Sequence, residues 1–153
     1  MALPDGIRVD DEGNVTFEGR SGQTLLLNVL LRAKFARPLE PITFLNAWMA
    51  ELIIGLNRRF QAGLPSQTTS SQWHLFGDDP ETRQAISDAI VADAPHLGWW
   101  NWPRSKQAEF IREVACAPHL VSEETIEEVL LSIEDRIESA RRLVAAADQI
   151  DRS

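Results

Sequence analysis

Residues 42–60 read ITFLNAWMAELIIGLNRRF, the most apolar run in the chain. On a helix, Phe44, Leu45, Trp48, Met49, Leu52, Ile53 and Leu56 share one broad apolar face. The opposite side, with Ala47, Ala50, Glu51 and Ile54, is only partly polar. A helix patterned this way packs on more than one flank, so the sequence predicts a central core helix over residues 41–62. A membrane span is excluded. Glu51 interrupts the run, Arg58 and Arg59 end it, and it falls short of the roughly 20 residues a bilayer needs.

Ahead of this stretch, Arg37-Pro38-Leu39-Glu40-Pro41 reads as a stiff linker, with Pro41 suited to a first helical position because its missing N–H has no partner there. Leu25, Leu26, Val29, Leu30 and Ala33 give an inner face to a helix over residues 24–35. Gly19-Arg20-Ser21-Gly22 reads as a break and a plain turn. It lacks the lysine and glycine spacing of a phosphate-binding loop. Two short alternating runs around Asp11-Glu12-Gly13-Asn14 predict a β-hairpin over residues 7–18. Two strands alone are marginal, so the hairpin needs a surface to lie on.

Beyond the central stretch, Gly63 is a plausible helix stop and residues 64–73 (LPSQTTSSQW) predict a flexible surface loop. Asp78-Asp79-Pro80-Glu81 is a helix start, giving a helix over residues 80–94 that Pro95 ends. A loop containing HLGWWNWP follows, then a helix over residues 104–117. Ser122 caps a last helix over residues 122–150, whose apolar positions include Ile126, Val129, Leu130, Ile133, Ile137, Ala140, Leu143, Val144, Ala147 and Ile150. At 1.5 Å per residue it spans roughly 40 Å, more than a domain of this size requires. Its far end is expected to project or to pair with a second copy. The fold class is therefore mainly α, a single-domain bundle of about five helices with a short N-terminal β-hairpin.

The chain has 153 residues, a formal net charge of −8 and one cysteine. Such acidity repels a phosphate backbone, and the surplus of basic over acidic groups in residues 21–60 is too small for a nucleic-acid-binding stripe. A single cysteine excludes an internal disulfide and a multi-cysteine zinc site. The first residues lack the basic start and apolar run of a secretory signal, so a reducing cytoplasm is the expected location. Cys116 and His119 stand three apart, but two ligands do not make a metal site, and no orienting group or oxyanion donor marks them as a catalytic pair. No catalytic set, metal or cofactor is expected.

The candidate binding residues come from four places. Glu51 lies in the most apolar helix with Arg58 two turns on; an ion pair is the default reading and a ligand-facing carboxylate the alternative. Glu123, Glu124, Glu127 and Glu128 form an acidic strip, either a solvated face or a surface for a basic partner. Trp73 with His74, and Trp99, Trp100 and Trp102 with His96, lie in the two loops flanking residues 80–94. Three tryptophans in four positions cannot all point inward, and exposed tryptophan is enriched at binding hot spots. The bland reading is that they plug helix ends.

The function expected from these features is a small acidic protein–protein interaction module, with an inhibitor or immunity-type protein covering a basic site as its concrete form. The expected partner is another protein with a basic surface, with no nucleic acid and no membrane. The alternatives are a helical small-molecule-binding or enzymatic domain with a Trp-lined pocket, and a structural homodimer through the C-terminal helix.

Overall fold

The computed structural model describes residues 2–3, 5–62 and 75–152. The expected stop at Gly63, the expected loop over residues 64–73 with Trp73, and His74 lie outside the described residues. The architecture is mainly α with a short N-terminal hairpin. In chain order the elements are β1 (Ile7–Val9), β2 (Val15–Phe17), α1 (Gly19–Phe35), α2 (Pro41–Phe44), α3 (Ala47–Ala62), α4 (Pro80–Leu97), a 3-10 turn (Trp99–Asn101), α5 (Arg104–Phe110), a π-helical stretch (Ile111–Ala115) and α6 (Glu123–Asp151).

β1 and β2 pair antiparallel, with Ile7 opposite Phe17 and Val9 opposite Val15. Asp10 holds the turn. Its carboxylate accepts from the Asn14 side-chain amide at 2.8 Å and from the Asn14 and Glu12 N–H groups. Those bonds, the Asn14 side chain first, keep its carboxyl below the usual range. The hairpin lies against the first turn of α1 through two glycines. A Cβ on Gly22 would stand 2.3 Å from the Gly6 carbonyl oxygen, and Gly6 has φ +88°. Residues 19–22 are therefore the opening turn of α1, where the sequence predicted a break before a helix at 24.

Two helix pairs make up the body, α1 with α3 and α4 with α6; α2 touches both α1 and α4, and the π stretch packs on α3. The main apolar cluster is centred on α4 and α6. It contains Ile86, Ile90, Trp99, Ile111, Ile126 and Ile133, and takes only Phe44 and Leu45 from the stretch 42–60. That stretch is not one central helix. It breaks at Leu45 and Asn46, where the Asn46 side chain accepts from the Met49 N–H at 2.9 Å and starts α3 anew. The buried face of α3 is also turned about one residue from the expected one, ~100° around the axis. Ala50 and Ile53 are buried, while Trp48 is 79% exposed and Leu52 is exposed. α1 packs along α3, and a small residue such as Ala50 lets two helices approach closely where a tryptophan would hold them apart.

α4 starts as expected, with the Asp79 carboxylate accepting from the Thr82 N–H at 2.8 Å. It continues through Pro95 to Leu97 and stops at Gly98, which is left-handed with φ +67°. Pro95 costs only one hydrogen bond in the last turn, and the helix tolerates it. The expected helix over 104–117 is α5 followed by the π stretch, in which the Cys116 N–H reaches the Ile111 carbonyl at 2.9 Å. Lys34, on the inner face of α1, is fully buried, and its ammonium donates to the Val114 carbonyl. Among the described residues no helix is long and apolar enough to cross a membrane.

Candidate functional site

The acidic strip of α6 is engaged with arginines of its own chain. Glu123 meets Arg112 at 2.6 Å, Glu127 meets Arg104 at 2.7 Å, and Glu128 meets Arg83 at 2.6 Å. Arg104 also reaches Glu134 at 2.5 Å. Glu124 is exposed. Spacing along one helix showed no basic neighbour for Glu127 or Glu128, because their partners come from α5 and α4. The strip's first role is to bind α6 to its neighbours.

The three tryptophans after α4 divide. Trp99 is buried in the main cluster, and Trp102 packs on Trp99 and Phe110 with the Lys106 ammonium 4.4 Å from its ring. Trp100 is 49% exposed and borders a groove along α6 with Ile137, Glu138, Arg141 and Ala145. His96, at the end of α4, is exposed, with Nδ1 3.3 Å from Asp93. None of these residues reaches Glu51 and Arg58.

Glu51 and Arg58 line a different cleft, of about 650 Å³, between α3 and the segment from Arg112 to Val121. Both are exposed, and among the described residues neither forms a salt bridge, where the sequence predicted an ion pair at Glu51. Arg112, Glu113 and His119 stand on the opposite wall. His119 stacks on Phe76 with ring centroids 5.2 Å apart and meets Phe35 edge-on at 4.5 Å. Nearby, Cys116 is fully buried, and that burial pushes its thiol up to about 12 against the opposing pull of Lys34. A thiol held protonated in this way is a poor nucleophile. No three His, Cys, Asp or Glu side chains among the described residues are grouped to hold a metal ion.

The remaining surface is the second half of α6. The Ser122 hydroxyl caps the helix by accepting from the Thr125 N–H at 3.1 Å. Ile126, Val129, Leu130 and Ile133 are buried, and Ile137 packs against the edge of the core. From residue 138 to residue 152 every residue is exposed, although the apolar spacing continues. Leu143 is 72% exposed and Val144 63%. Trp100 stands at the base of this segment. The sequence indicated the stripe and the excess length of α6. It did not indicate the exposure of Trp48, which follows from the side of α3 that α1 packs on.

No protein-family model, curated protein or solved structure matches the chain.

Proposed function

We propose that this protein is a protein–protein interaction module whose binding element is the second half of α6, with Trp100 at its base. The observation that carries this reading is the exposed apolar stripe beyond Ile137, on a helix whose same stripe is buried further back. Exposed apolar side chains in a continuous row mark interaction surfaces. A helix presenting them at spacings of three and four fits a groove or another helix. The acidic strip supports this reading less than the sequence suggested, since its carboxylates already hold Arg83, Arg104 and Arg112. A Trp-lined ligand pocket is not supported, because among the described residues Trp99, Trp100, Trp102, His96, Glu51 and Arg58 do not converge.

The test compares wild type with Leu143→Glu/Val144→Glu, two changes at exposed positions that leave the core untouched. Proteins retained by immobilised wild type, this chain included, are purified and their binding to both forms is measured. At least one is expected to lose affinity roughly tenfold or more for the variant, since two apolar side chains at the centre of the proposed surface are replaced by charge. Equal affinity of every such partner for the two forms would overturn the reading.

A further inference from the structure

We propose that the second half of α6 pairs with the same segment of a second copy of this chain, running antiparallel. This names the partner for the surface described above and rests on that reading. Ile126, Ile133, Ala140 and Ala147 recur every seven residues, and so do Leu130, Ile137 and Val144. That is the spacing of a coiled-coil seam. Helices of the same chain cover the seam through Ile133 and half-cover Ile137, whereas Ala140 and Val144 are exposed.

The charges beside the seam select one orientation and one register. With two helices antiparallel and Val144 of one copy level with the partner's Ala147, Arg141 faces the partner's Asp148. By symmetry, Asp148 faces the partner's Arg141. On the other flank Leu143 lies across from the partner's Ile150, joining exposed apolar side chains of each copy. A slide of one heptad in one direction sets Arg141 against its own counterpart, and in the other direction Asp148 against its own counterpart. Parallel pairing sets Arg136 beside the partner's Arg141 and Leu143 beside the partner's Asp148. The favoured contact is isologous and closes at two copies. Ala140 and Ala147 on the seam allow close approach of the two backbones. The overlap of about a dozen residues is ~18 Å long. Its buried area is on the order of 1,000 Å², the low end for specific interfaces, and we take self-association to be weak, with a constant on the order of micromolar.

Sedimentation equilibrium of the full chain at about 100 µM, well above such a constant, tests this. Wild type is expected at twice the 17.2 kDa chain mass. Leu143→Glu/Val144→Glu is expected at the single-chain mass, with a circular-dichroism melt matching that of wild type at dilutions where both are monomeric. Asp148→Arg alone places like charges together at two symmetric sites and is expected to weaken the dimer roughly tenfold. Arg141→Asp/Asp148→Arg restores opposite charges and is expected to recover it. A monomeric wild type, a dimer indifferent to Leu143→Glu/Val144→Glu, or an Asp148→Arg defect that the double reversal does not repair would each overturn the proposal. A monomeric wild type that still binds a different purified protein through Leu143 and Val144 overturns self-pairing alone and leaves the interaction reading standing.

Discussion

Four residues beyond Val114 the chain has Pro118, which has no N–H to donate to a helical carbonyl. The Val114 carbonyl therefore lacks its helical partner, and the buried Lys34 ammonium supplies the missing donor. An unsatisfied buried carbonyl costs on the order of 1–3 kcal/mol. Burying the ammonium opposes that gain. It lowers the Lys34 pKa from 10.5 to about 8, with the neighbouring Cys116 acting in the other direction. Between pH 8 and 10.5 the unfolded chain holds the lysine proton more firmly than the native chain, so this residue makes stability rise with pH. Cys116 does the reverse. Its native thiol keeps a proton that the unfolded thiol loses above pH 9, so its contribution falls as pH climbs toward 12. The chain has no tyrosine, which leaves this alkaline window unusually clear. In Cys116→Ala, unfolding free energy from denaturant titrations is expected to rise by up to about 3 kcal/mol between pH 8 and 10.5. Adding Lys34→Met should flatten that rise; an equal rise in both proteins would show that Lys34 is not its source.

Among the elements, the starts of α4 and α6 were legible because Asp79 with Pro80, and Ser122, are capping residues whose meaning is local. The hairpin was legible from its alternation and its turn residues. The break before α3 was not, since Asn46 serves equally well as a cap or as an exposed helical residue. The face of α3 was not legible either, because a stretch apolar nearly all round has no single preferred side. What turned Ala50 inward and Trp48 outward was the approach of α1, a tertiary matter. The first turn of α1 was misread for the same reason, as Gly19 and Gly22 look like punctuation until Gly6 is seen against Gly22. Gly22→Ala tests this contact. Its Cβ would meet the Gly6 carbonyl oxygen at 2.3 Å, where only backbone can yield. Alanine itself favours a helix by about 0.5–1 kcal/mol over glycine. Loss of hydrogen-exchange protection is therefore expected at the amides of β1 and β2, with protection in α4 and α6 retained. Protection unchanged in the strands would mean that the hairpin is held by something other than this contact.

Taken whole, the molecule has a body braced by ion pairs and an arm. Arg83, Arg104 and Arg112 reach α6 from outside it, and Arg136 of α6 reaches back to Asp88 on α4. Each such exposed pair contributes only about 0–1 kcal/mol, so their value lies in the network that fixes α6 along its neighbours. The bracing ends where the burial ends, near Ile137. The candidate site was legible in part: excess helix length and an unbroken apolar stripe can be counted in the sequence, but which half stays uncovered is set by how the other helices pack against α6, a tertiary matter. The fourteen residues 138–151 carry the helix ~20 Å farther, more than the ~15 Å radius of gyration expected for a compact chain of this length. Such an arm drags on solvent far more than its mass suggests. The monomeric Leu143→Glu/Val144→Glu form is expected to scatter X-rays with a radius of gyration above ~15 Å; a compact value would mean that the arm folds back. It should also leave a sizing column ahead of globular proteins of equal mass, so elution volume alone would mistake one chain for two.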